Sequence, residues 1–294
     1  MKNFLFSLIA LFFMSCSLDT DFDAMGIFES DEILVSSEIS GIIEKLNFKE
    51  GDELKKGELV GNIDNTQLRL EIKRLESEIV VLENKKYNID KELAPLKEQI
   101  KKANREKLRQ SRLVSANSST QKSLDDATSE FEILSKDLDA KLSSMTLFNN
   151  SLMAQIEESK TQIEILQDRI EKSLIKAPID GVVLEKYAYE GELSNAQRAI
   201  FKIADIKIIR LKAYLIDTDL TRIKLGDEIR VFSDYGNEYK EYKGVITWIS
   251  SKAEFTPKTI MSKDERKNLV YAIKVDVQND GFLKIGSYGE IKLK

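Results

Sequence analysis

The chain has 294 residues, with 45 Lys and Arg against 50 Asp and Glu, a formal net charge of −5, no histidine and one cysteine. That length holds two or three domains, and the mildly acidic balance gives no bulk attraction to nucleic acid or to an anionic lipid surface. The absence of histidine removes the commonest general base and neutral metal ligand, and one cysteine allows neither an intrachain disulfide nor a thiolate cluster.

At the N-terminus, Lys2 precedes the apolar run Phe4–Phe13. The run is too short to cross a hydrocarbon core of about 30 Å as a helix and reads as an export signal. It ends in Phe13-Met14-Ser15-Cys16, which resembles a bacterial lipoprotein processing site. The resemblance implies that residues 1–15 are removed and Cys16 is acylated. Several acyl chains, at about 0.8 kcal/mol per buried CH₂, would hold the protein on a membrane outside the cytoplasm. A plain secretory signal with an incidental cysteine is the alternative. Residues 16–33 are left as an N-terminal lipid-anchored segment.

The next segment, 34–65, shares its pattern with 174–205. Gly41 and Gly181, Glu50 and Glu190, Gly51 and Gly191, Val60 and Ile200, and Ile63 and Ile203 all stand 140 residues apart. Each copy reads as short strands, with Glu-Gly marking a turn that needs positive φ. Gly41, Gly51, Gly181 and Gly191 are therefore expected as structural turn glycines. One copy is too small to bury a core, so two copies face to face predict a pseudo-symmetric sandwich.

Residues 66–173 between the copies read as helix. Apolar residues step by fours and threes from Leu68 through Ile72, Leu75, Ile79 and Leu82 to Ile89, Leu93 and Leu96, with Lys86 filling one seam position. A second run from Leu124 to Ile170 does the same, interrupted at Lys141 and Ser159. This is a coiled-coil seam. Two successive steps of four, Phe148 to Leu152 to Ile156, form a stutter that locally unwinds the supercoil. Pro95 predicts a kink near it. The polar break Ser115–Gln121 predicts an antiparallel fold-back, and Thr66 to Leu113 would reach about 70 Å. Acidic pairs such as Asp125-Asp126 and Glu157-Glu158 read as solvated faces.

Within residues 206–294, Tyr214–Phe232 resembles a known β-barrel segment, and the resemblance implies a short helix from Asp217 or Thr218 to Lys224 and a turn at Gly226. Leu269–Leu293 resembles the closing strands of such a barrel, with Gly286-Ser287 where those proteins usually have Gly-Met. Trp248, in a strand, is expected in the core.

The two half-motifs resemble the halves of a biotinyl/lipoyl carrier fold, but the arm occupies the hairpin that would present the modified lysine, so no cofactor is expected. Taken together, the split repeat, the inserted hairpin, Ile175–Glu192 and the barrel segments resemble the membrane fusion protein family, the HlyD-like periplasmic adaptors of tripartite efflux and type I secretion systems. The implied fold is α+β and multidomain: a lipoyl-like β-sandwich split by a long antiparallel coiled-coil hairpin, followed by a small β-barrel.

The resemblance also implies partners. These are an inner-membrane transporter, an outer-membrane channel of the TolC kind, and further copies of the chain, six by analogy. Nucleic acid is not among them, and no catalytic or metal-binding residues are implied. The family's channel-docking tip has Arg, then Leu four residues on, then Ser seven beyond; Arg109, Leu113 and Thr120 match that spacing, with Thr in place of Ser. The bland alternative makes Arg109 one solvated cation among many and Thr120 an N-cap. Phe255–Tyr271, with capping-box spacing at Ser262 and Glu265, resembles a loop of members paired with ABC transporters, which favours that partner over an RND pump. The barrel leaves few residues for a membrane-proximal domain unless 17–33 contributes. Two readings of other classes stay open: a carrier-domain protein of an acyl-transfer complex, and a lipid-anchored envelope rod with no transporter.

Overall fold

The computed structural model describes residues 22–236, 238–254 and 270–293. The expectations for the export signal, for Cys16 and for the segment 255–269 lie outside these residues.

The first strand, β1 (Ala24–Glu29), belongs to the barrel described below. The sandwich is built from β2 (Glu32–Ser36), β3 (Gly41–Leu46), β4 (Glu53–Leu54) and β5 (Leu59–Ile63) before the arm. After the arm come β6 (Leu174–Lys176), β7 (Gly181–Lys186), β8 (Leu193–Ser194) and β9 (Ala199–Ala204). Its two sheets run β2-β9-β7-β4 and β6-β5-β3-β8. Each sheet thus mixes strands from both sides of the cut: β4 pairs with β7, and β8 with β3. Neither copy completes a sheet without the other. The core pairs residues related by the repeat: Ile43 with Val183, Phe48 with Ala188, Val60 with Ile200 and Ile63 with Ile203, all buried. The Phe48 and Phe201 rings meet at 4.7 Å.

The four glycines divide. Gly51 and Gly191 have φ of 89° and 84° and open space beside them, so they are turn residues chosen for backbone freedom. Gly41 and Gly181 open strands β3 and β7 instead. A Cβ at Gly41 would lie 2.7 Å from Ile63 Cγ2, and one at Gly181 2.5 Å from the Ala204 carbonyl oxygen. These two are required by close packing, which corrects their expected place at turns.

The barrel closes in the order β1-β10-β13-β12-β11-β14. Its other strands are β10 (Ile208–Ile216), β11 (Glu228–Tyr235), β12 (Glu238–Ile249), β13 (Val270–Gln278) and β14 (Tyr288–Lys292). β1 seals it by pairing with both β10 and β14. Residues 24–29 are therefore not part of a free anchor segment. Ala24, Gly26 and Phe28 alternate into the barrel with Met25 and Ile27 outside, the period of a half-buried strand. The short helix α4 (Asp217–Leu220) stops before Lys224, and Gly226 turns with φ of 90°.

Trp248 departs from expectation. Tyr242, Gly244 and Ile246 of β12 face inward, and strict alternation would place Trp248 there too. The register shifts between Ile246 and Trp248, and this bulge turns the indole outward, 41% exposed, with the Lys274 ammonium 5.8 Å from its centroid.

The arm leaves β5 as α1 (Thr66–Asn84) and continues as α2 (Ile89–Ser115); α3 (Gln121–Lys172) returns. At 52 residues α3 is about 78 Å long. The seam holds: Leu75, Leu82, Leu93, Leu96, Leu152 and Ile156 are buried. Ser159 is buried within it and donates to the Gln155 carbonyl, whereas Lys141 turns out to Asp137 at 2.9 Å. Pro95 lies inside α2, which runs through it unbroken. The interruption falls upstream, at residues 85–88, where Lys86 occupies the seam position and Asn88 caps the new helix through the Lys91 N–H.

Candidate docking site at the hairpin tip

The tip is a short turn closed by backbone hydrogen bonds. The N–H groups of Ala116, Asn117 and Ser118 donate to the carbonyls of Arg112, Val114 and Leu113 at 3.2, 3.0 and 2.8 Å, using the carbonyls left free at the end of α2. Asn117 takes φ of 58°, a left-handed conformation that asparagine tolerates. Thr120 caps α3, its hydroxyl accepting from Ser123 N–H at 3.3 Å. Across the turn, Ser119 Oγ donates to Gln110 Oε1 at 2.8 Å, and Gln110 Nε2 donates to Glu106 at 2.8 Å. Ser119 and Gln110 tie the two arms together at the end, a role the local sequence did not suggest.

Of the three tip residues, Arg109 lies on the exposed flank of α2, its guanidinium on Glu106 through Nε at 2.9 Å and Nη2 at 2.6 Å. Those bonds, then one from Gln110, hold the Glu106 carboxyl below its usual range, and Glu106 raises Arg109 in turn. Leu113 is half-buried with its carbonyl in the turn, and Thr120 is exposed apart from its cap. The three lie along the last turns of α2 and the start of α3, with Leu108, 52% exposed, beside Arg109. From residue 97 to residue 151 no side chain of the arm is fully buried. A two-helix seam alone leaves much apolar surface in water, including Ile133, Leu142 and Leu147.

The base of the arm, by contrast, is tied by hydrogen bonds to the sandwich. Asp64 accepts from Thr66 N–H at 2.8 Å, and the hydrogen bonds from Thr66 hold its carboxyl below the usual range. Asn65 Nδ2 donates to the buried Ser173 at 2.8 Å, and Ile63 N–H to the Ser173 carbonyl at 2.9 Å. The start of α1 and the end of α3 are thus joined where both meet the sandwich.

The repeated Glu-Gly does more than turn the chain. Glu190 Oε1 accepts from Leu46 N–H at 2.9 Å, and Glu50 Oε1 accepts from Lys186 N–H at 2.9 Å. Gly51 N–H donates to the Val183 carbonyl and Gly191 N–H to Ile43, both at 2.8 Å. These four bonds form two pairs, each bond in one half matched by its counterpart in the other. Among the described residues, no group of three or more His, Cys, Asp or Glu side chains converges to hold a metal ion, and no helix is long and apolar enough to cross a membrane.

Comparison with known proteins fits this geometry. The family described as RND MFP, barrel-sandwich hybrid domain, matches residues 31–205, more than half of the chain. The chain belongs to the membrane fusion protein family. These are periplasmic adaptors, not enzymes. A membrane protein of Yersinia pseudotuberculosis is 32% identical over 109 residues, a match spanning 37% of this chain and 33% of that relative, so only about a third of its length is compared. The membrane protein YbhG of Salmonella arizonae is 25% identical across 83% of this chain and 79% of its own. Among solved structures, MacA from Actinobacillus actinomycetemcomitans aligns with a TM-score of 0.57 at 21% identity, over 92% of this chain and 78% of its own. A MacA–MexA chimera carrying the Pseudomonas aeruginosa MexA α-hairpin aligns at 0.54 and 22% identity, over 92% and 80%. At these identities the structural likeness speaks for the fold, and the split sandwich, hairpin and barrel of this membrane fusion protein agree with it.

Proposed function

We propose that this protein is a periplasmic adaptor that links an inner-membrane transporter to an outer-membrane channel of the TolC kind for efflux or secretion. One observation carries the reading. A sandwich, closed only by joining both ends of the chain's cut, projects a hairpin about 78 Å long whose exposed tip bears Arg109, Leu113 and Thr120. Arg109 offers a planar fork of donors to channel carboxylates or carbonyls, and Leu113 an apolar knob. The apolar surface left on the arm is covered by neighbouring copies standing side by side, so the working form is a homo-oligomer, six copies by analogy. Lipid on Cys16 tethers the base to the inner membrane, and the barrel contacts the transporter. The protein does no covalent chemistry; cargo passes along the assembly.

The transporter is of the ABC kind on the resemblance of residues 255–271. The match of residues 31–205 to the RND-type adaptor family favours the alternative, an RND pump. Affinity capture of the full chain from crosslinked membranes, read by mass spectrometry, decides between them. An ABC transporter arriving with an outer-membrane channel supports the proposal, an RND pump replaces its transporter class, and no transporter leaves a structural envelope rod. Removing two heptads from each arm shortens reach by about 21 Å and is expected to abolish export with folding intact. Retained export would overturn the bridging role.

A further inference from the structure

The outgoing arm is broken once and the returning arm is not. Between α1 and α2, Lys85 and Lys86 N–H close the first helix onto the Leu82 and Glu83 carbonyls at 3.1 and 3.2 Å, and Asn88 starts the second. Tyr87 sits between them with a backbone donor and acceptor that belong to neither helix. Both go to one side chain of the opposite arm: Tyr87 N–H donates to Asn149 Oδ1 at 2.9 Å, and Asn149 Nδ2 donates to the Tyr87 carbonyl at 3.0 Å. The Tyr87 ring meets Phe148 at 5.1 Å. The contact falls at the start of the stutter in α3, where the seam steps by four from Phe148 to Leu152 to Ile156. On the base side, Ile79 and Leu82 pack with Leu152 and Ile156; on the tip side, Leu93 and Leu96 are buried. The outgoing arm is therefore two rods, α1 and α2, meeting at residues 85–88 and packed along the continuous α3.

A primary amide is the side chain suited to this place. It carries an acceptor oxygen and an N–H₂ donor group on a single fork and matches an exposed peptide group as another backbone strand would. Aspartate would accept but not donate, and leucine would do neither. A break in the helical ladder otherwise leaves the direction of the outer rod to solvent and to side-chain contact.

We propose that residues 85–88 are a joint in the hairpin and that Asn149 sets it, acting as a positioning residue for the outer rod and its tip. The proposal concerns the arm itself and stands whether or not the tip docks on a channel. It is tested on the full chain with Cys16 replaced by Ser and spin labels at Lys73→Cys and Lys102→Cys, exposed sites on the two rods about 44 Å apart along a straight helix. The parent should give one narrow distance distribution by pulsed electron resonance. Asn149→Leu should at least double its width, and should speed exchange of the Tyr87 amide tenfold or more, with helix content unchanged by circular dichroism. An unchanged distribution in the folded variant overturns the proposal, whatever the amide does. If Asn149→Leu does not fold, Asn149→Asp serves: it turns a carboxylate onto the Tyr87 carbonyl, and a distribution as narrow as the parent's overturns the joint equally.

Discussion

Replacing Glu190 with Ala removes the acceptor for Leu46 N–H, a bond of 2.9 Å at a residue only 5% exposed. A hydrogen bond to a charged acceptor contributes about 1.5–3 kcal/mol, and a donor left unpaired near a core forfeits a similar amount. Glu190 itself is exposed, so water offsets part of this, and about 1.5–2 kcal/mol is a reasonable net loss. At 1.4 kcal/mol per factor of ten, exchange of the Leu46 amide should quicken roughly ten- to thirtyfold. The matching Glu50→Ala acts on Lys186 N–H, where the bond lies in solvent. There the loss should be about 0.5 kcal/mol, a twofold change. Glu190→Gln keeps a carbonyl acceptor and should stay close to the parent. The assay is amide hydrogen exchange on the full chain, resolved at Leu46 and Lys186. If Leu46 exchange is unmoved by Glu190→Ala, or if Glu50→Ala has the larger effect, the reciprocal clamp between the halves does not operate.

Two further expectations concern the barrel. Glu290 is 8% exposed, and its Oε2 is buried without a hydrogen-bond partner; burial, and after it the Asp234 carboxylate, push its pKa up. Below the unfolded pKa the group is protonated in both states and nothing is lost; as pH rises through the unfolded and then the folded value, stability falls. Glu290→Met should therefore raise barrel stability at pH 7, by about 1–3 kcal/mol, with less gain at pH 4, read by urea unfolding through Trp248, the chain's one tryptophan. Asp280 lies on the Lys240 ammonium and accepts from Phe282 N–H at 3.1 Å, and both hold its pKa down. Its contribution is present above the unfolded pKa and lost as pH falls through the lowered folded one. An NMR titration of the Asp280 carboxyl should give a midpoint under the usual value, and Lys240→Met should move it upward.

Much of this architecture is legible without coordinates. A repeat at one fixed offset identifies two half-modules, and steps of four and three identify the arm, because both patterns are local records of burial. What escaped is set by partners far away in the chain. Glu50 and Glu190 mark turns in any local reading, yet each carboxylate serves a backbone group in the other half. Gly41 and Gly181 look like turn residues until Ile63 and Ala204 are seen against them. Trp248 faces out against strict alternation because the bulge between Ile246 and Trp248 shifts the register, which no local pattern shows. The alternation of Ala24–Glu29 is that of a half-buried strand, but its proximity to the export signal makes it read as part of an anchor, and only its pairing with β10 and β14 places it in the barrel. At the tip, Arg109, Leu113 and Thr120 carry no local signal beyond a solvated cation, a seam residue and a cap, and only their spacing within the family sets them apart.

The adaptor account rests most directly on what the tip touches in a living cell. A photo-crosslinking amino acid at position 113, with the same substitution at the base position Leu70 as control, measures that. The account predicts an adduct between position 113 and an outer-membrane channel, absent from position 70 and reduced by Arg109→Asp. Adducts only to other copies of this chain, in folded protein at normal abundance, would contradict it.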